Sequence, residues 1–391
     1  MYIPYGKQSI SEEDIQSVVD VLKSDWLTQG PVVPNFESAI AKLVGCKHAV
    51  ASNSATSSLH LACRALEITK GDIVWTSPIS FVASSNCALY CGATVDFVDI
   101  DLTTYNMDIS MLEEKLELAK VNGNLPKCVI PVHLAGRSCD MMAIHELSKK
   151  YGFKIIEDAS HGIGASYEKN PVGSCKYSDI TVFSFHPVKI ITSGEGGMAL
   201  TNDHSLATKM ALLRSHGITR DEKMMDNISH GSWYYEQLDL GFNYRMTDIA
   251  AALGLSQLTR LSTFVEQRNT LANRYDELLA DSSFIIPTRD KDSLSSFHLY
   301  IVRVKNSNSP LMHKTLFEKL RSSGIGVNLH YIPIYRHPYY HKIGFDHSLF
   351  PSSEAYYKSA ISLPIFPDLT FEEQDFVIEV LKNPPGYQNI F

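Results

Sequence analysis

Long apolar runs are absent from this chain of 391 residues: no window approaches the ~18 uninterrupted apolar positions that a bilayer-spanning helix requires. A basic balance is absent too. Lysine and arginine number 35 against 43 aspartates and glutamates, leaving a formal net charge of −8 and a pI near 6.0. Nucleic acid as the main partner is thereby excluded, since phosphate binding needs a basic face, and no basic helix-turn-helix stretch occurs. Seven cysteines, an odd number without paired spacing, exclude a disulfide framework and suit a reducing cytoplasm. The opening Met1-Tyr-Ile-Pro-Tyr-Gly-Lys7 has no basic segment followed by an apolar one, so neither export nor membrane insertion is expected.

What is present is an ordinary globular balance, 44% apolar and 20% charged, with room for a large core and a second, smaller unit. From Ala49 to Thr201, short β-type runs alternate with stretches of helical period. Strands are expected at 49–51, 73–77, 94–99, 128–134, 153–156 and 198–201, and helices at 55–66, 82–90, 110–120 and 141–151. Such alternation predicts an α/β fold with a mostly parallel sheet covered on both faces. Residues 217–237 are polar, lack periodicity and read as a surface or interface loop. Thr247 caps an alanine-rich helix that opens a helical run to about Leu279. Beyond Ser282, strands at 297–304 and 324–330 with helices at 311–322 and 371–381 predict a small α+β domain. The domain boundary is drawn at 260/261.

Three groups, far apart in order, carry the chemistry. Lys189 lies between two apolar β-type runs, where a charged amine costs several kcal/mol unless it is paired, exposed to a cavity or covalently used. Asp158 ends the strand Phe153-Lys-Ile-Ile-Glu-Asp158, and strand C-termini are where α/β sheets place ligands. Ser54-Ala55-Thr56 opens a helix, whose free N–H groups and positive end suit a phosphate. Alone, each has an ordinary reading: a solvated lysine, a strand-end cap, a helix cap. Together they match pyridoxal 5′-phosphate (PLP), which needs an anion site, a partner for its ring nitrogen and a Schiff-base amine. Phe81, just past a strand end, could stack on the flat ring, or be a core phenylalanine. His161 could pack on the ring or bond its 3′ oxygen, or be a satisfied core histidine; His186 reads as structural. In the His- and Tyr-rich stretch 330–341, Pro333 and Pro338 disrupt helical metal-ligand pairs, so aromatic walls for a sugar or uracil fit better than a metal.

The order Asn53-Ser-Ala-Thr-Ser-Ser, Glu157-Asp-Ala-Ser-His, Phe183-Ser-Phe-His-Pro-Val-Lys, Gly194-Glu-Gly-Gly and Gly241-Phe-Asn-Tyr-Arg-Met resembles the DegT family of nucleotide-sugar aminotransferases. Trp26-Leu-Thr-Gln-Gly-Pro and Leu329-His-Tyr-Ile-Pro resemble its pseudaminic-acid branch. The resemblance runs nearly end to end and implies a fold type I PLP-dependent transferase. It implies that Lys189 is catalytic and that Ser54, Ala55, Thr56, Ser184 and Asn243 take the cofactor phosphate, Asn243 from a neighbouring subunit. It places Tyr5, Asp25, Trp26, Leu27, Thr28, Gln29, Asn328, Leu329, His330 and Tyr331 at the substrate, with Ala55, Ser184 and Asn243 shared. The implied partners are L-glutamate as amino donor, a UDP-linked 4-keto-6-deoxy-N-acetylhexosamine as acceptor, and a second copy of the chain. Dehydratases of the family carry histidine at the lysine position, which Lys189 disfavours. A sister aminotransferase for another keto sugar, or a PLP-binding sensor without turnover, remains as alternative.

Overall fold

A computed structural model describes residues 2–305 and 310–382. In α1 (Glu12–Leu22), the Ser11 hydroxyl accepts the Asp14 N–H at 3.3 Å and the Asp14 carboxylate accepts the Ser11 N–H at 3.0 Å, a reciprocal cap. α2 (Val32–Val44) carries Pro34 in its first turn, where a missing N–H costs nothing. Then follow β1 (His48–Ser52), α3 (Ala55–Ala65), β2 (Ile73–Thr76), α4 (Ala83–Tyr90), β3 (Thr94–Phe97), α5 (Ile109–Asn122), β4 (Cys128–Ile130), α6 (Met141–Tyr151) and β5 (Lys154–Asp158). A small hairpin, β6 (Ser166–Tyr167) and β7 (Asn170–Pro171), precedes β8 (Ile180–Ser184), β9 (Gly197–Thr201) and α7 (His204–Leu213).

The large sheet has the order β1-β9-β8-β5-β4-β2-β3. Its pairings are parallel except the two made by β9, which runs against both β1 and β8. The C-terminal ends of the other strands therefore share one edge, where a ligand crevice is expected. Period-two alternation sends Ile156, Ile180, Val182 and Ala199 to one face, packed on Leu59 of α3 and Met210 of α7. Phe183, Met198 and Leu200 go to the other, against Phe36 and Ile40 of α2. Apolar on both sides, the strands read as runs rather than as alternating patterns.

Residues 217–237, expected as a loop, contain a short ribbon of β10 (Ile218–Thr219) and β11 (Glu236–Gln237). The helical run to Leu279 divides at Thr259 and Arg260 into α8 (Asp248–Leu258), capped by Thr247 as expected, and α9 (Leu261–Leu279). α9 belongs to two cores. Leu261, Phe264 and Val265 pack into the large one, whereas Leu271, Ala272, Tyr275 and Leu279 pack with β12 (Phe284–Ile285), β13 (Tyr300–Val304), α10 (Pro310–Ser322), β14 (Ala360–Leu363) and α13 (Phe371–Lys382). Between α10 and β14 lie two short helices, α11 (Pro338–Lys342) and α12 (Pro351–Tyr357).

Two expected strands are corrected. Residues 297–299 stand outside β13 because Phe297 has φ 44°, which no strand accommodates. Residues 324–330 make only isolated bridges, Ile325 to Ile3 and Asn328 to Ser362. Arg268 of α9, only 1% exposed, donates to the carbonyls of Phe297 (3.1 Å), His298 (3.2 Å) and Ile365 (2.9 Å), fastening the segment before β13 to the helix. Among the described residues no helix is long and apolar enough to cross a membrane. Arg268→Ala strands three buried carbonyls and opens a cavity, so a loss of about 3 kcal/mol or more is expected from urea midpoints. A loss below about 1 kcal/mol would contradict the clamp.

Candidate active site

One cavity of about 1130 Å³ opens at the C-terminal edge of the large sheet and is lined by Lys189, Asp158 and Ser54 to Thr56 together. Tyr5, Phe81, His161, Ser184 and Asn328 to Tyr331 line it as well. Those expectations from the sequence meet in one place.

An anion cradle is formed at the start of α3. Ser54 caps the helix: its hydroxyl accepts the Ser57 N–H at 3.1 Å and its carbonyl the Ser58 N–H at 3.0 Å. Since an α-helix leaves its first N–H groups without intrahelical acceptors, those of Ala55 and Thr56 are left to serve an anion. β9 passes directly behind. A Cβ on Gly197 would lie 2.5 Å from the Ala55 nitrogen and from the Ser54 carbonyl, so only glycine lets the strand approach the cradle.

Of the two carboxylates that end β5, Asp158 lines the cavity and its neighbour does not. Successive residues of β5 face opposite sides, and Glu157 is held on the far side by His133 (2.8 Å), Thr181 (3.0 Å) and Ser178. Asp158, 4% exposed, accepts from the Ser84 hydroxyl at 2.6 Å and from the Ser160 N–H at 3.1 Å. Because Ser84 gives its proton to Asp158, the Ser80 hydroxyl 2.6 Å away must donate to Ser84, which makes a relay of two serines behind the carboxylate.

Lys189 follows β8 after a turn in which its N–H bonds the His186 carbonyl at 2.9 Å. Desolvation pushes its amine down to about 8, against the opposing pull of Asp158. Among the described residues its Nζ forms no contact ion pair. An amine brought down toward the neutral range beside a carboxylate and an anion cradle fits PLP: Lys189 would be its covalent partner, Asp158 would face the ring nitrogen, α3 would take the phosphate and the half-exposed Phe81 ring would lie at one face.

His161 and Tyr331 close the wall, with the His161 Nε2 3.1 Å from the Tyr331 hydroxyl. His330, which burial pushes down to about 3, bonds the Ser362 hydroxyl through Nδ1 at 2.8 Å and faces the Tyr5 ring at 5.2 Å. His186 needs correction: Pro187 turns the chain, leaving this histidine exposed on the cavity lining, 4.0 Å from Glu195, and not in a structural position. Asp25, Trp26, Leu27, Thr28 and Gln29 do not line this cavity. Their exposed loop is pinned to the start of α8, where the Leu27 carbonyl accepts the Asp248 N–H at 3.0 Å and Asp248 accepts the Gly30 N–H at 3.3 Å. Asn243 also lies outside, exposed and bridged to Ser215. Sequence reasoning missed Ser84, Ser160 and His298. His298 lines the cavity with its ring 4.3 Å from that of His161 and its Nδ1 without a hydrogen-bond partner among the described residues. Its only signal was a histidine beside an aromatic in Ser296-Phe-His298.

Gly197→Ala is expected to weaken PLP retention roughly 10-fold or more, because the added methyl displaces the cradle; equilibrium dialysis reads the loss, and wild-type retention would contradict the cradle. Capture of PLP by cofactor-free protein should speed up as pH rises, since only the neutral amine attacks, with a midpoint near 8. A midpoint at the ordinary lysine value of 10.5 would show that the amine is not desolvated.

Similarity to known proteins agrees with this chemistry. The spore coat polysaccharide biosynthesis protein SpsC of Bacillus subtilis is 38% identical over 98% of this chain and 97% of its own. The UDP-4-amino-4,6-dideoxy-N-acetyl-beta-L-altrosamine transaminase of Campylobacter jejuni is also 38% identical, over 97% and 96%. Among solved structures, Helicobacter pylori PseC, an aminotransferase of pseudaminic acid biosynthesis, superposes with a TM-score of 0.89 at 32% identity, covering 97% of this chain and 98% of that one. Streptococcus pneumoniae Spr1654, solved in its PLP form, superposes with a TM-score of 0.88 at 32% identity, covering 98% of each chain. The fold is therefore that of the type I PLP-dependent aminotransferases, and the cofactor is PLP. Residues 8–382 match the family described as DegT/DnrJ/EryC1/StrS aminotransferases, and the chain belongs to that family of sugar aminotransferases.

Proposed function

We propose that the enzyme moves an amino group from L-glutamate to C4 of a UDP-linked 4-keto-6-deoxy-N-acetylhexosamine, in the formation of pseudaminic acid. The observation that carries this reading is the single cavity in which Lys189, Asp158 and the α3 cradle face a wall of Tyr5, His330 and Tyr331. The names of the Campylobacter and Helicobacter relatives support the sugar and the pathway.

Bound PLP supplies an electron sink and carries the amine between donor and acceptor. The protein's own groups do the rest. The amine of Lys189, neutral in good part near pH 8, takes the proton from the donor's Cα and returns one to the acceptor carbon in the second half. Asp158, held by Ser84 and Ser160, keeps a proton on the ring nitrogen. The N–H groups of Ala55 and Thr56, with the Ser184 hydroxyl, anchor the phosphate while the reacting end changes partners. His161 packs at the ring, and the two halves share one cavity in ping-pong order.

A homodimer belongs to the proposal. Trp26 (56% exposed) and Leu27 (48%) leave apolar surface uncovered beside α8, and Asn243 is exposed as well. In this reading the 25–29 loop and Asn243 reach the partner's cavity, Asn243 at its phosphate. The enzyme works in the cytoplasm, where its free cysteines stay reduced. The equal similarity of SpsC favours a second reading, a sister enzyme for another keto sugar.

Offered a panel of 4-keto and 3-keto UDP-sugars with glutamate, the enzyme should yield a new amine at C4, located by NMR. Product from the 3-keto sugars alone would sink the C4 assignment in favour of the sister reading. Asn243→Ala should weaken PLP retention about 10-fold without lowering thermal stability; unchanged retention would contradict the shared site.

A further inference from the structure

The cavity wall fixes the direction of one particular proton. The Ala135 N–H donates to Nδ1 of His161 at 3.3 Å, so that nitrogen carries no hydrogen. Burial, with the positive charge of Lys189 acting in the same sense, pushes the His161 pKa well down, and the ring is neutral. A neutral imidazole with a bare Nδ1 has its proton on Nε2. That proton points at the Tyr331 hydroxyl 3.1 Å away, and Tyr331 is the acceptor in this bond. A tyrosine hydroxyl has one hydrogen; having received one here, it must give its own elsewhere. Tyr331 stands in the cavity wall, with its ring 6.2 Å from Phe81 and its hydroxyl within the field of Asp158.

We propose that the chain Ala135, His161, Tyr331 presents a fixed hydrogen-bond donor to the keto oxygen of the sugar substrate, with His161 as a positioning residue that acts through Tyr331. The assignment rests on the substrate reading above and deepens it. A carbonyl that must be attacked by an amine gains electrophilicity when its oxygen accepts a hydrogen bond, and a donor already oriented needs no reorganisation at that moment. Burial, with the charge of Asp158 acting in the same sense, holds the phenol protonated, so it serves as a donor throughout the pH range of the reaction.

The test uses the PLP form of the holoenzyme, which holds no free amine to consume a ketone. Calorimetry compares a UDP-linked 4-keto sugar with its 4-deoxy counterpart. Wild type should prefer the ketone about 10-fold, and Tyr331→Phe should bind the two within about 2-fold of each other. His161→Leu should lose the preference as well, because the hydroxyl is then free to turn. His161→Gln should keep it, since an amide can accept from Ala135 and donate to Tyr331. An undiminished preference in Tyr331→Phe would overturn the assignment alone. A shifted visible band in ligand-free Tyr331→Phe with the preference intact would place the donor on the cofactor's 3′ oxygen, which also overturns it. Wild type that binds neither sugar would remove the substrate reading and this assignment with it.

Discussion

A lysine amine held out of water beside a carboxylate is the constraint on which the rest of this molecule depends. Moving its pKa from 10.5 to about 8 corresponds to a cost on the order of 3 kcal/mol at pH values below that midpoint, relieved as pH rises. A fold that is stable by only ~5–15 kcal/mol carries such a cost only with strong support around it. Here the support is geometric. Lys189 sits in a turn between β8 and β9, two strands buried on both faces, so the backbone that carries the amine is fixed at the cavity by the sheet.

The same edge of the sheet supplies every other requirement. β9 runs against its neighbours, and this reversal brings Gly197 against the first turn of α3 while Lys189 stands at the end of β8. Parallel strands alone would have needed a long crossover at that point. α9 then spans both cores, and Arg268 ties it to the backbone carbonyls that carry His298 into the cavity wall. The small core is thus coupled to the site through defined hydrogen bonds as well as through packing.

Much of this was legible in the chain. The strand-helix alternation gave the sheet, and Lys189, Asp158 and Ser54 announced themselves by standing where their side chains were out of place or useful. What escaped notice depended on contacts between distant segments. Alternation says that Glu157 and Asp158 oppose each other, but the choice between them is made by His133, Thr181 and Ser178, which no local pattern links to that strand. His298 was hidden because Phe297 takes a positive φ and ends the apparent strand. Ser84 reads as a small helix-packing residue until Asp158 is placed beside it. The loop at 25–29 and Asn243 carried strong resemblance to family motifs yet lie outside the cavity of this chain, since a motif records residue types and their order and not where the folded chain puts them.

Convergence of one amine, one acid and one helix end on a single flat cofactor is the central claim, and covalent trapping addresses it most directly. Holoprotein reduced with borohydride, digested and sequenced by mass spectrometry should carry its pyridoxyl group on Lys189. An unmodified Lys189 in protein that retains bound PLP, or a label on another lysine, would contradict the account.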